Sequence, residues 1–183
     1  MTAYIAPDFS VPFPSLPNGN RLNNTLNENP GVGPSSPLHA PVLNNCQILK
    51  LCGGRLSLAV PYALRRGTEL ILEGGLLITN KLQPTLPGQS LGSLTLTVSS
   101  VIDLCSGPGG SILKFSKLAG FNVSQMLIIN NWCGHPQGNG RDQLLFTDAS
   151  NLTPDILRHI HFIGHPAGAR LLENNEIVPQ QIA

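Results

Sequence analysis

The segment with the clearest potential for chemistry is VIDLCSGPGGSILKF, at residues 101–115. An apolar run ends in the acid Asp103, and a Gly-Pro-Gly-Gly loop follows it. This is the layout of a loop that binds a nucleotide or S-adenosylmethionine. Such a loop requires a parallel α/β sheet, a helix that begins at the loop, and a later strand that ends in an acid for the ribose.

The residues that follow the loop do not supply those elements. Too few residues remain after Asp103 for the further βα units, each of which needs about 30 residues. The next strand-like segment, at residues 125–132, ends in Asn-Asn-Trp and not in an acid. The segment 111–119 fits a helix or a strand, because Leu113 and Phe115 share a strand face but Ile112 does not.

We therefore predict that the loop is a tight connection between strands. Gly107, Gly109 and Gly110 would serve it because a residue without a Cβ atom tolerates a positive φ. This interpretation predicts no bound cofactor and no enzymatic activity. A methyltransferase that uses S-adenosylmethionine is the disfavoured alternative.

Three histidines near the C-terminus are a weak candidate for a metal site. His159 and His161 would lie on one side of a strand, and the chain could bring His165 back to them. Three imidazoles can bind zinc or copper. We favour the simpler prediction that no metal is bound and that these side chains form the exposed face opposite Ile160 and Phe162.

Other catalytic arrangements are missing from the sequence. The chain has 10 acidic residues, and no pair is placed as the two facing carboxylates of a glycosidase would be. The pattern G-x-S-x-G occurs once, as GQSLG at 88–92, but a strand-like segment follows it at 92–104 where the nucleophile motif requires a helix. Asp142 and Asp148 flank a predicted strand, so capping of turns is their favoured role.

Trp132 is the weak candidate for ligand binding. It ends a strand-like segment and could stack against a sugar ring, so a glycan is a possible partner. A large amphipathic side chain at the edge of the core would serve equally as an anchor, and we favour that role.

The composition favours a β-rich protein with many tight turns. Only 11% of residues are charged, where about 25% is usual. The net charge of +1 gives no electrostatic footprint for nucleic acid. The 19 glycines and 16 prolines are residues that mark turns. No apolar run is long enough to span a membrane, and the first residues lack the pattern of a secretory signal peptide.

A repeat supports stacked strands. Aligned on their glycines, LCGGRLSL at 51–58 and LEGGLLIT at 72–79 are offset by 21 residues. In both copies apolar and polar residues alternate, as expected for strands with one buried face. Further strand-like segments follow in succession, separated by turn residues, which is typical of a coil of stacked strands.

One short helix and one hairpin are predicted near the C-terminus. Thr153 is a good N-cap, Pro154 suits the first helical position, and the helix should end near Arg158. Residues 171–179 should form a hairpin, with Asn174 and Asn175 able to take a positive φ at the turn.

Residues 1–41 contain eight of the sixteen prolines and are predicted to be an extended arm or linker. The arm is either a disordered tail or a segment that docks on a neighbouring subunit. Docking is suggested by apolar anchors that a flexible tail would not need. These are Tyr4, Ile5, Phe9, Val11 and Phe13.

The C-terminal part resembles a known family through an ordered series of segments. The series runs from an apolar strand ending in Ile-Asp, through LKF and IINNW, to DQLLF, LTPDILRHIHF and GARLLENNEIVP. It resembles the C-terminal region of bacterial secreted proteins with autotransporter-associated β-strand repeats, of the PEP-CTERM type. The resemblance implies a β-solenoid or its terminal cap and implies no catalytic residues. This sequence departs from the family in placing cysteines at Cys52, Cys105 and Cys133.

The predicted fold is all-β, a short β-solenoid over residues 42–183, with a β-sandwich or jelly roll as the alternative. The predicted function is a non-catalytic scaffold or adhesion module, extracellular or on the cell surface. It would assemble into homo-oligomers or filaments through the arm and its strand edges. A virion capsid or fibre protein and a glycan-binding module are the alternatives. Whether Cys46, Cys52, Cys105 and Cys133 form disulfides stays open.

Overall fold

The computed structural model is an all-β structure and describes residues 2–5, 19–21, 47–58, 64–79, 89–104 and 110–181. Within these residues the strands form two sheets, a large one and a small one. The large sheet contains β1 (Thr2–Ile5), β2 (Gly19–Arg21), β3 (Ile48–Cys52), β5 (Glu69–Glu73), β7 (Gln89–Ser90), β8 (Ser93–Val98), β10 (Ile112–Phe121), β12 (Gln143–Asp148), β14 (Ala167–Leu171) and β15 (Glu176–Gln180). The small sheet contains β4 (Arg55–Leu58), β6 (Leu76–Thr79), β9 (Ser100–Asp103), β11 (Leu127–Asn130) and β13 (Ile160–Phe162).

From β3 to β14, the chain alternates between the two sheets, except that β7 and β8 both join the large sheet. The order in the large sheet is β2-β1-β3-β5-β8-β10-β12-β15-β14, and in the small sheet it is β4-β6-β9-β11-β13. β7 pairs with β10 beside β8. All described strand pairs up to β12 and β13 are parallel. Each passage of the chain through both sheets, which we call a return, therefore adds parallel strands to both.

The 21-residue repeat is confirmed as a strand register. Leu51 pairs with Leu72 in the large sheet, and Ser57 pairs with Ile78 in the small sheet. Later returns are longer, since Leu127 pairs with Ile160. The turns absorb most of the added residues, and the pairs that β8 forms with β5 and β10 each contain a register shift.

Alternating side chains point into one core between the sheets. Strand β5 has the burial pattern exposed, buried, intermediate, buried, intermediate, as a strand with one buried face requires. The core is dominated by leucine, and fully burying each such side chain contributes about 1.5–3 kcal/mol. Side chains with no exposed surface include Leu49, Leu51, Leu56, Leu70, Leu72, Leu77, Leu94 and Phe115.

The Gly-Gly corners of the repeat are required by close packing. Gly53 and Gly54 have φ values of 68° and 57°, in the left-handed region that favours glycine. Gly75 has a different reason, because the side chain of Leu51 and the carbonyl of Gly53 occupy the space that a Cβ atom would need. The corner therefore lets the core leucine of one return lie against the backbone of the next.

The segment after the Gly-Pro-Gly-Gly loop is a strand. β10 runs in parallel with β8 and β12, which settles the ambiguity between helix and strand at residues 111–119. The loop therefore leads from a strand of the small sheet to a strand of the large sheet, and residues 112–121 provide no helix N-terminus. Cys105, Gly107 and Gly109 lie outside the described residues.

The C-terminal predictions are confirmed. Thr153 caps helix α1 (Pro154–Arg158), and its hydroxyl accepts a hydrogen bond from the Ile156 N–H group. Ile160 and Phe162 are buried on one face of β13. β14 and β15 form an antiparallel hairpin, and Asn175, but not Asn174, has a positive φ, of 62°. β15 also pairs antiparallel with β12, so the hairpin closes this end of the large sheet.

Parts of the predicted arm pair with the same chain. β1 runs parallel to β3, with Thr2 opposite Ile48, and β2 runs parallel to β1. Phe9, Val11 and Phe13 lie outside the described residues, so their predicted docking role stays a prediction. In the described part of the chain, none of the helical segments has the length and apolar character of a membrane span.

Candidate functional site

Polar side chains concentrate around the loop that joins β11 to β12, at residues 131–142, which we call the 131–142 loop. Asn131, Gly138 and Asn139 have φ values of 55°, 84° and 58°, so the loop turns sharply at both ends. Glycine or asparagine is the residue type that tolerates such backbone angles. The loop contacts the C-terminal hairpin at Glu176 and Arg170.

Asp142 ties the loop to the sheet. Its side chain has no exposed surface. One carboxylate oxygen accepts a hydrogen bond of 2.9 Å from Ser111 N–H, and the other accepts one of 2.6 Å from Cys133 N–H. The turn-capping role predicted for Asp142 is confirmed, although the two turns that it joins are distant in sequence. Asp148 caps the next turn, where Ser150 N–H donates to its side chain.

Glu176 holds the other side of the loop. It has no exposed surface, and its Oε2 accepts a hydrogen bond of 2.8 Å from Asn139 N–H. Asn174 donates to the same oxygen at 3.2 Å. A Cβ atom at Gly138 would lie 2.8 Å from this oxygen, and the φ of 84° at this position independently favours glycine.

Arg170 and Trp132 complete the cluster. Arg170 Nη2 donates to the Pro136 carbonyl at 2.7 Å. The ring of Trp132 lies edge-to-face against Phe162 and His165, with centroids 5.4 Å apart in both pairs. Trp132 is half-buried against the core, which fits the anchor role.

The cluster contains buried polar atoms that lack a hydrogen-bond partner. Among the described residues, three buried side-chain atoms have no hydrogen-bond partner, namely Trp132 Nε1, Arg170 Nε and Glu176 Oε1. The carboxylates of Asp142 and Glu176 both accept backbone N–H bonds from the loop. These bonds give both carboxylates a structural task, which is to fix the shape of the loop.

The candidate histidines are divided among different surroundings. His159 is the C-cap of α1, His161 lies in the middle of β13, and His165 packs on Trp132. His135 is exposed, and its Nδ1 accepts a hydrogen bond from Gln137 N–H. Within the described ranges, no group of three His, Cys, Asp or Glu side chains is arranged to bind a metal ion.

Cys52 and Cys133 are free thiols, whereas Cys46 and Cys105 lie outside the described residues. Cys52 Sγ donates a hydrogen bond of 3.1 Å to Glu73, and Lys50 forms an ion pair of 2.8 Å with the same carboxylate. Burial, together with the hydrogen bond and the charge of Glu73, raises the pKa of Cys52 to about 11. Although burial opposes it, hydrogen bonding from Lys50 and Cys52 holds the pKa of Glu73 below its usual value. Cys52 is therefore an unreactive protonated thiol at neutral pH.

Sequence reasoning missed Glu176 and Arg170 as members of the cluster. Glu176 was predicted only as part of a hairpin, and its partner Asn139 lies 37 residues away. The Gly-x-Gly pattern at 138–140 was the one available signal, because close glycines indicate a loop that packs tightly.

Comparison with known proteins gives no relative. No protein-family model, curated protein or solved structure matches the chain significantly.

Proposed function

We propose that the chain is a short β-solenoid that serves as a non-catalytic structural module. The support is the alternation of successive strands between two sheets with parallel pairing. A β-sandwich pairs its strands mainly antiparallel through hairpins. From β3 onward in the described residues, antiparallel pairing between strands occurs only within the C-terminal hairpin and between β15 and β12. The resemblance to autotransporter-associated repeats is consistent with this proposal and adds the expectation of a surface or extracellular location.

Self-association is the second part of the proposal, and the difference between the two ends of the stack carries it. At the C-terminal end, Gly168 in β14 packs on the backbone of Leu157 and Arg158, so α1 lies against the closing hairpin. At the other end, β4 is the outermost strand of the small sheet, and no described strand pairs with its outer side. An uncovered strand edge is a template for pairing with another chain.

The hydrogen-bond pattern identifies the groups that would pair. Leu76 N–H donates to the Gly54 carbonyl at 3.0 Å, and Arg55 lies opposite Leu76. In a parallel ladder the residues that bond to a given neighbour alternate along the strand. The N–H groups of Arg55 and Ser57 therefore point to the open side of β4.

A single substitution tests this edge. Ser57→Pro removes an outward N–H group without removing a bond to β6, because proline is tolerated at sheet edges. We expect wild-type protein to form larger species as its concentration rises, as measured by light scattering coupled to size exclusion, and Ser57→Pro to remain monomeric. Ser57→Ala is the matched control, because it loses the hydroxyl group but keeps the N–H group. A monomeric wild-type protein at all concentrations would contradict the proposal, as would unchanged association of Ser57→Pro.

A further inference from the structure

The outer face of the large sheet carries a groove of about 600 Å³ that the proposed structural role does not use. It crosses strands β5, β8, β10 and β12 and lies on a different sheet from the open edge of β4. Its polar lining consists mainly of cations and hydroxyl groups, including Arg66, Lys114, Lys117, Ser90, Ser116 and Thr147.

The floor of the groove lies where β7 is followed by β8, beside β10. Here Gly92 lies so close to the carbonyl of Gly67 that no Cβ atom would fit. Gly92 N–H donates to the Thr68 carbonyl at 2.8 Å, and Ser116 N–H donates to the Gly92 carbonyl at 2.9 Å. The floor is therefore hydrogen-bonded backbone, which fixes the shape of the groove before any ligand binds.

The charges in the groove favour an anion. Arg66, Lys114 and Lys117 are exposed, while Glu69 is the one carboxylate among the lining residues. Lys50 forms an ion pair with Glu73, and Arg158 forms one with Asp155. Neither of these ion pairs includes a groove residue. Asp148 lies opposite Lys117 in the ladder and offsets part of its charge, which leaves Arg66 and Lys114 as the stronger anion contacts.

The spacing of the cations favours a ligand with repeated charges. Lys114 and Lys117 are three residues apart on β10, or about 10 Å at the rise of an extended strand. Arg66 precedes β5, which is separated from β10 by β8, so it lies about 10 Å away across the sheet. These backbone positions are far enough apart for separate acidic groups of one ligand to contact different cations.

The remaining lining separates carbohydrate from nucleic acid. Ser90, Ser116 and Thr147 offer hydroxyl groups that can exchange hydrogen bonds with sugar hydroxyls. Phe115 is the aromatic residue of the lining, and its side chain has no exposed surface, so nucleic acid bases have no platform for stacking. We propose that this groove binds an anionic polysaccharide, with Arg66 and Lys114 contacting its acidic groups.

Calorimetric titration of the full chain with oligogalacturonate tests the proposal. We expect saturable binding that weakens as salt rises, because exposed charges are screened. Neutral malto-oligosaccharide, inorganic sulfate and polyglutamate are the comparison probes and should bind more weakly. Tighter binding of polyglutamate would indicate an acidic peptide site, and equal binding of sulfate would indicate a site for a single ion. Either result, or an absence of heat with oligogalacturonate, would overturn the proposal.

Variants then locate the site. Lys114→Gln and Arg66→Gln should each weaken oligogalacturonate binding by up to about fivefold, the range of one exposed charge contact. Arg158→Gln is the matched control, since it removes the same charge from an exposed side chain of α1 that does not line the groove, and it should leave affinity unchanged. Ser116→Trp fills the groove without changing the charge and should abolish binding, with folding checked by circular dichroism. Equal losses in Arg158→Gln and Lys114→Gln would show a diffuse charge effect and refute a localised site. Self-association is measured in the absence of glycan and tests the edge of β4, whereas the titration tests the groove on the large sheet. The self-association proposal and the polysaccharide proposal can therefore fail separately.

Discussion

Asn139 and Glu176 are joined by a hydrogen bond of 2.8 Å from a backbone N–H group to a carboxylate that has no exposed surface. The bond links the 131–142 loop to the closing hairpin across 37 residues of chain. It replaces the hydration of both groups, so the loop and the hairpin should lose stability together if it is broken.

Glu176→Ala should lower the free energy of unfolding by about 1–3 kcal/mol, because it removes the charged acceptor of the hydrogen bonds from Asn139 N–H and the Asn174 side chain. Urea denaturation followed by circular dichroism measures the change. Glu173→Ala is the control, since Glu173 is exposed in the same hairpin and should be nearly neutral. Equal effects of the two substitutions would contradict the structural role of Glu176.

Gly75→Ala should destabilise the fold by about 1–3 kcal/mol, because the added methyl group meets the side chain of Leu51. Leu51→Ala alone should cost about 2–5 kcal/mol through the cavity that it leaves. The double variant should cost less than the sum, because the new methyl group enters that cavity. Thermal or urea unfolding of the wild type, the two single variants and the double variant gives the coupling free energy between the two positions. Strict additivity of the losses in stability would show that the two residues do not compete for space.

Cys52 should react with iodoacetamide much more slowly than Cys133 at pH 8, because its pKa is raised to about 11 while Cys133 is exposed. Mass spectrometry of the labelled peptides measures both rates in one sample. Glu73→Gln should accelerate labelling of Cys52, since it removes the negative charge that opposes the thiolate. Labelling of Cys52 at the rate of Cys133 would be incompatible with the hydrogen bond to Glu73.

The raised pKa of Cys52 predicts how the free energy of unfolding changes with pH in the alkaline range. Its folded-state pKa is above the ordinary value of 9.0, so its contribution to stability is fully present below that pH. The contribution is lost as the pH rises through about 11, because the unfolded chain then ionises more readily. Cys52→Ser should remove this part of the alkaline slope, and an unchanged slope would assign it to other groups.

Removal of residues 1–41 distinguishes an arm that pairs within its own chain from an arm that docks on a neighbouring subunit. In the structure β1 covers the outer side of β3 within the same chain, so the truncation should expose a second edge and increase association. Light scattering at several concentrations measures this, and a synthetic 1–41 peptide should restore the original size. If truncation instead abolishes association, the arm joins neighbouring subunits, as its apolar anchors suggest.

Local patterns in the sequence predicted the all-β character, the repeated strands and the start of the helix, but segment 92–104 is two strands, β8 and β9, that lie in different sheets. The offset of Leu51 and Leu72 appears in the sequence because one buried face per strand requires apolar residues at alternate positions. Thr153 and Pro154 fixed the start of α1 for a similarly local reason, since an N-cap acts within one helical turn.

The polar cluster and the groove could not be predicted in the same way. Asp142 and Glu176 accept bonds from backbone groups of distant turns, and any residue can supply a backbone N–H group. Arg66 and Lys114 come together only because β5 and β10 are both neighbours of β8, which depends on how many residues each return contains. Such contacts follow from three-dimensional register and leave no spacing in the chain that identifies them.

The open edge of β4 also bears on the geometry of the proposed assembly. Two copies that pair β4 against β4 would use like surfaces and would therefore be related by a two-fold axis. Such an interface uses the same edge in both copies, so pairing through β4 alone would close at a dimer.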